Sequence, residues 1–490
     1  MAINFTYYDE SNRVPGVYVE MDPSQANTGT QLQQSLLIGQ MTSTGTAVPE
    51  EPVLVESKAQ VAALCGPNSM LTAMANRYLD RDPFGTLYLL PVEDDSAGVA
   101  ATGTILVASA ATAPGTLNLY IAGVRVRIAV DQTLTAAQVA ASLAAAINAT
   151  QFLPVTAVAA TATVTLTSTG KGQIYNDIDI RQNYLGNAGG EYPVPGLALT
   201  ITAMASGAGN PDISDALANL SDQSFDFICM PYNDTANLNA IEAFLADDVG
   251  RWSWEQMIYG GGFSAFRGTL GACTAFGLAR NDQHMSIMAF NDSPDPSWIW
   301  ATEATASSAA SLRVDPGLPL QYIGMTTKSP PIASRWTLGE RNTLLYDGMS
   351  TFRVADDNSV IMERMCTTYQ KNAAGATDNS YLDVETMYGL MFVSRNMSNY
   401  LLTRYARKKL VSDATPILYG SNCVNAPMIK ASVILNYKAL EAQGYVQNSA
   451  TFAQNVAVED AGNGLVKILA PVDLVNQLRQ IAILLQFRKS

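Results

Sequence analysis

SFDFICMPYNDTANLNAIEAFLADDVGRW, residues 224–252, sets the fold class. Its first nine residues are apolar almost throughout, as a strand buried on both faces is, and Asn237 to Trp252 carry the spacing of a helix. A buried strand running into a helix predicts one unit of a largely parallel sheet covered on both sides. The pattern repeats outward. ISDALANL (213–220) reads as a helix; QMIYGGG (256–262) as a strand, a helix follows from Thr269, and HMSIMAF (284–290) is again a strand. Far upstream, QSLLIGQ (34–40) and TLYLLPV (86–92) read as buried strands, with QVAALCG (60–66) as a short helix between them.

Between the two halves the composition turns to Ala, Thr, Val and Gly with few charges, from about Ser96 to Ser206. Strand candidates follow one another there: GTILVAS, TLNLYIAG, VRVRIAV, VTLTS, NDIDIRQ and LALTITA. One alanine-rich helix, TAAQVAASLAAAINA, sits among them with Thr135 placed to cap it. Such spacing predicts a β-sandwich or β-rich module inserted at the periphery of the α/β unit. Beyond residue 335 the pattern changes again. SVIMERMCTTYQ (359–370) is strand-like, and a long helix is expected from Ser380, with Asp383 completing a capping-box variant. Asn425-Ala-Pro opens an amphipathic helix bearing Ile429, Val433, Tyr437 and Leu440, which Gly444 stops. LVKILAPV and QIAILLQF close the chain as strands. The whole predicts α/β and α+β multidomain architecture.

Composition narrows the function. With 43 acidic and 29 basic residues the formal charge is −14, which opposes binding to nucleic acid or anionic membrane. Neither a signal peptide nor an apolar run long enough to span a bilayer is present. Five scattered cysteines, Cys65, Cys229, Cys273, Cys366 and Cys423, read as reduced core residues, which fits folding in a cytoplasm. No metal or cofactor is expected, because CxxC, HxxxH and the phosphate-loop spacings are missing. YGGGFSAFRG (259–268) reads as tight packing or a turn at the sheet edge, and the acidic pairs at Glu93, Asp247 and Asp356 as solvated turns. His284 is the sole histidine, so a hydrolase on the α/β region would depend on it; its ordinary reading is a histidine hydrogen-bonded at a strand edge. The basic run of Arg404, Arg407, Lys408 and Lys409 reads as the solvated end of the long helix, or as a contact for an acidic partner.

RVPGVYVE, residues 13–20, forms a strand pattern with Val17 and Val19 on one face and Tyr18 and Glu20 on the other, yet has no obvious partner in its own chain. A polar stretch from Met21 to Thr30 follows it as a linker. PGVYVE, WTLGERNTLLYDGMSTFRV (336–354), VIMERMCTTYQKNAAGATDNSYLDVETM (360–387), NAPMIKASVILNYKALEAQGYV (425–446) and ILAPVDLVNQLRQIAILLQF (468–487) together resemble contractile bacteriophage tail sheath proteins, in particular the Mu-like branch. The resemblance implies a central sheath core of subtilisin-like architecture without protease activity. It also implies a subunit that stacks in hexameric rings around a tail tube, contracts, and drives the tube through the host envelope. A related contractile injection system is the neighbouring alternative. The implied partners are other copies, the tube protein, and baseplate and terminator proteins, in a virion tail assembled in the host cytoplasm. Strand exchange between subunits would involve Val17, Tyr18, Val19 and Glu20 at one end and Ile481, Ile483, Leu485 and Phe487 at the other, with the basic run touching the tube. The expected organisation is an arm and linker (1–30), core (31–95), insertion (96–206), core (207–335), C-terminal sheath domain (336–475) and C-terminal arm (476–490).

Overall fold

The structure is a computed structural model, and it describes residues 33–418 and 420–489. The chain forms two compact units, the larger comprising residues 33–393, 440–448 and 472–489 and the smaller 394–418, 420–439 and 449–471. The strand expected at Val17–Glu20 and the linker after it lie outside the described residues.

In the larger unit, β1 (Ser35–Gln40), β2 (Val53–Val55), α1 (Lys58–Cys65), α2 (Met70–Arg81) and β3 (Leu87–Val92) make the first half of the core. Every residue of β1 is buried, which is why SLLIGQ shows no alternation. β3 pairs with β1 in parallel, Ser35 opposite Leu87, and β2 closes that edge antiparallel.

The insertion follows as β4 (Ala100–Ser109), β5 (Gly115–Ile121), β6 (Val124–Val130), α3 (Ala136–Ala149), β7 (Val155–Ala160), β8 (Thr163–Lys171), β9 (Ile180–Gln182) and β10 (Ala198–Ala205). It builds two antiparallel sheets, β10-β4-β8-β7 and β6-β5-β9. α3 lays Val139, Leu143 and Ile147 into the core, started by a capping box in which Thr135 and Gln138 satisfy each other's backbone N–H groups. Polar contacts fix the insertion to the core: Gln40 Nε2 donates to Lys171 O (2.6 Å), Thr169 to Asn68 O (2.8 Å) and Tyr184 to Ser329 O (3.0 Å).

The core resumes with α4 (Ser214–Ala218), β11 (Phe227–Cys229), α5 (Thr235–Leu245), β12 (Gly261–Arg267), α6 (Leu270–Leu278), β13 (Met285–Phe290) and α7 (Ser297–Leu312). β11 pairs with the free side of β1, so one six-stranded sheet, β13-β12-β11-β1-β3-β2, spans both halves. α7 is buried along nearly its whole length, with Trp300 stacked on Phe290 at 4.8 Å. Two expectations fail here. α5 ends at Leu245 rather than at Trp252, because the chain folds back at Gly250, where a Cβ would strike the backbone of Ala246. The strand expected at QMIYGGG begins only at Gly261, as β12, so the glycines after Tyr259 make no turn at the sheet edge; they serve the tight packing that is the other expectation, since at Gly262 a side chain would collide with Met285 of the neighbouring strand.

β14 (Ile323–Met325), α8 (Leu338–Tyr346), β15 (Thr351–Val354) and β16 (Val360–Arg364) form a small antiparallel sheet with its helix. α9 (Val384–Tyr405) begins at Val384, not Ser380, since Asp383 is occupied by Arg364 (2.9 and 3.0 Å) and does not cap with Ser380. In the smaller unit, β17 (Lys409–Leu410) pairs with β18 (Cys423–Val424), and α10 (Ala426–Ala442), α11 (Ser449–Asn455), β19 (Ala457–Asp460) and β20 (Val466–Leu469) follow. Tyr437 stacks on Phe452 at 3.7 Å, and among the described residues β19 and β20 form a two-stranded hairpin.

Candidate functional site

His284 immediately precedes β13 and is buried. Its Nε2 lies 3.1 Å from Asp247 Oδ1 and its Nδ1 3.5 Å from Asp282 Oδ1, so both nitrogens face carboxylates and neither faces a nucleophile. Ser286, two residues on, is engaged with Ser350 (2.9 Å) and Cys366 O (2.7 Å). The space beside the ring is about 10 Å³, the lower limit for one water. An Asp-His-Asp arrangement with no room for a substrate is a structural clamp between the loop after α5 and β13. Burial disfavours the charged ring, but the bonds to Asp247 and Asp282 outweigh it and raise the His284 pKa above 6.5, while the His284 bond lowers that of Asp247 below 3.8. The histidine's contribution is therefore complete below pH 6.5 and lost as pH rises through its raised value; the carboxylate's is lost as pH falls through its lowered value. Denaturation of His284→Gln is expected to show its largest deficit against the parent between about pH 4 and 6.5, shrinking at alkaline pH as the ring loses its proton. An equal deficit at both ends would remove the clamp.

Among the described residues no group of three His, Cys, Asp or Glu side chains could hold a metal ion. Asp94 receives Gln40, Asp248 caps Val249 N and Asp357 caps Ser359 N. The five cysteines are unpaired and four are buried.

The C-terminal segment is held at its root and open beyond it. Gln447 N donates to Asp473 O (2.9 Å), Gln321 to Leu478 O (2.9 Å), and Arg479 Nη2 to Asp383 Oδ1 (3.0 Å) and Glu385 Oε2 (2.8 Å). The Glu385 side chain is wholly buried; burial raises its pKa and Arg479 draws it back. Past Arg479 the chain has no secondary structure, and Ile481, Ile483, Leu485 and Phe487 are 75–91% exposed. QIAILLQF thus forms no strand within its own chain, since a strand needs a partner for its backbone groups. The ion-pair group of Arg364, Asp383, Glu385 and Arg479 was not legible in the sequence, because its members belong to three separate segments. Arg479→Gln leaves the Glu385 carboxyl buried without its cation; a stability loss of about 2 kcal/mol is expected, with faster hydrogen exchange over 473–479. Unchanged exchange there would deny Arg479 the pinning role.

The basic run does not end a helix as expected. α9 stops at Tyr405, and Lys409 N donates to Asn422 O (2.7 Å) as β17 begins, so only Arg404 lies in the last turn. Arg404 donates to Tyr400 OH (3.0 Å) and Lys408 to Asn422 Oδ1 (3.2 Å). All four side chains are exposed, with no carboxylate partner among the described residues.

Comparison with known proteins is consistent across the chain. Residues 206–368 match the family described as phage tail sheath protein central domain. The chain is 37% identical over 491 residues to the Mu-like prophage FluMu tail sheath protein of Haemophilus influenzae, covering 99% of this chain and all of that one. Among solved structures it is similar to the sheath tail protein of Desulfitobacterium hafniense (14% identity, TM-score 0.48, covering 94% and 97% of the two chains). A second similarity is to the helical sheath of the anti-feeding prophage in its contracted state (11%, TM-score 0.47, 98% and 100%).

Proposed function

The chain belongs to the phage tail sheath proteins, and from that membership we propose that it polymerises as stacked hexameric rings around a tail tube and contracts to drive the tube through the host envelope. It is a structural subunit and not an enzyme. The observation that carries the reading is the C-terminal segment, apolar and exposed from residue 480 yet pinned at Arg479. Exposed large apolar side chains in series mark a contact surface, and period-two spacing at Ile481, Ile483, Leu485 and Phe487 suits an added strand. The β19–β20 hairpin supplies an acceptor: a two-stranded sheet is marginal alone, and among the described residues both of its edges are open to extension. In this reading the Val17–Glu20 strand and the Ile481–Phe487 strand each join such a hairpin on neighbouring subunits. Arg404, Arg407, Lys408 and Lys409 face the tube, and residues 96–206 form a domain inserted in a core of subtilisin-like architecture. The partners are tube, baseplate and terminator proteins, in a virion tail assembled in the host cytoplasm.

Negative-stain electron microscopy of the purified full chain tests this directly. Striated hollow tubes or stacked rings are expected; particles that stay monomeric at every concentration overturn it.

A further inference from the structure

A cleft of about 250 Å³ opens between Arg335, Trp336, Arg341, Phe352, Arg353 and Val354, at the edge of the β14-β16-β15 sheet. Arg341 has a carboxylate partner, Glu363 at 2.8 Å. Arg335 and Arg353 have none among the described residues: Arg335 reaches Pro330 O (3.0 Å) and Asn358 Oδ1 (2.7 Å), and the Arg353 guanidinium lies 5.1 Å from the centre of the Tyr322 ring. Tyr322, Ile332 and Leu338, neighbours of the lining residues, are 70–80% exposed. Arginine and aromatic side chains around a shallow pocket are the composition of an interface centre, and on a chain of net charge −14 this one calls for an acidic, apolar occupant. The volume suits one large side chain and is too small for a drug-sized ligand.

The loop between α5 and β12 has that chemistry. It exposes Val249 (74%), Trp254 (78%) and Met257 (54%) together with the carboxylates of Asp248 and Glu255. It is also built to hold its shape. Arg251 is buried beneath it and donates to Ser221 O (3.2 Å), Trp252 Nε1 donates to Gly260 O (2.8 Å), and Met257 and Tyr259 take positive φ of 51° and 65°. A pre-shaped loop loses little entropy on docking. Two other exposed apolar stretches fit the cleft less well. Phe84 sits among Asp80 and Asp82, which are already paired with Lys58 and Arg313, and residues 481–487 are flanked by Arg479, Arg488 and Lys489.

We propose that the 246–259 loop of one copy docks into the arginine cleft of a second copy, Trp254 seated against the exposed side of Trp336 and the Arg353 guanidinium, and Glu255 meeting Arg353 and Arg335. The contact rests on the polymer reading above and adds to it a body-to-body joint separate from the terminal segments. Aromatic and guanidinium planes stack on the indole, and a charge pair at the rim fixes the approach.

The test is a charge swap in the full chain. Arg353→Glu and Glu255→Arg each are expected to raise the concentration needed for assembly about tenfold, and the double variant to return within about threefold of the parent. Both side chains are exposed, so unchanged melting temperatures certify the fold of each variant. Acrylamide quenching, compared with Trp254→Phe to isolate one of five tryptophans, is expected to show Trp254 shielded on assembly. Single reversals that assemble like the parent, a double variant no better than the worse single one, or a Trp254 equally quenchable in both states would each overturn the docking. If the parent forms no tubes, yet Trp254 is shielded with concentration and the swap rescues, the sheath reading falls and the docking stands. Tubes that tolerate either reversal leave the sheath reading standing and remove the docking.

Discussion

Truncation after Arg479 is expected to leave a chain that melts with the full-length protein and no longer forms tubes. Residues 480–489 carry no hydrogen bond within the described chain and expose their apolar side chains, so their removal costs the monomer nothing. On the proposed strand exchange, the same residues are to make a strand in the polymer. About five backbone hydrogen bonds at roughly 0.5–1.5 kcal/mol each contribute about 3–7 kcal/mol per segment before ordering costs. A loss of about 3 kcal/mol already weakens association by about two orders of magnitude. Removal of residues 1–20 is expected to act alike, since it deletes the other segment proposed to exchange. Sedimentation gives the assembled fraction and calorimetry the stability. Truncated chains that still build regular tubes would falsify the woven-segment account, and a large fall in melting temperature would mean that the tail belongs to the monomer's own fold.

The largest effect on stability is expected at Trp300. Its side chain is fully buried in α7, stacked on Phe290 at 4.8 Å and against Phe352 at 4.6 Å, and so joins the parallel sheet to β15. Trp300→Ala removes an aromatic that close packing cannot replace, and a loss of about 3–5 kcal/mol is expected in chemical denaturation. Trp300→Phe is expected to recover more than half of it, because ring stacking survives. A loss below about 1 kcal/mol for the alanine variant would show that α7 is packed less tightly than its burial implies.

Local signals in the sequence foretell the elements that are governed by local physics. β1 and β3 announce themselves as short unbroken apolar runs, and α3 by Thr135 and alanine-rich spacing. β7, with Val155 and Ala157 inward and Thr156 and Val158 less buried, shows real alternation, but small residues weaken the signal and it goes unread. The end of α5 and the start of β12 are not legible because both depend on close backbone approach at Gly250 and Gly262, a tertiary property. Likewise the Arg479 pin joins residues from segments that meet only in the fold. The apolar character of residues 481–487 was legible in the sequence, and their exposure is a property of the fold. The sheath family was legible because many ordered segments match it along the chain, in keeping with the 37% identity over the full length, while His284 faces only carboxylates.

One topological fact bears on how the protein is made. β1 pairs with β3 on one side and β11 on the other, and the whole insertion is synthesised between those two partners. During translation the SLLIGQ strand therefore waits with one edge of backbone N–H and C=O groups unpaired, beside the apolar side chains of Leu36, Leu37 and Ile38, until β11 has left the ribosome. The insertion, with its own antiparallel sheets and short-range pairings, is the segment able to fold in that interval, while the parallel pairing with β11 must close a long loop and comes late. Newly made chains thus pass through a stage in which an aggregation-prone edge is presented beside an already folded module, and chaperone demand and expression temperature act on this protein at that stage.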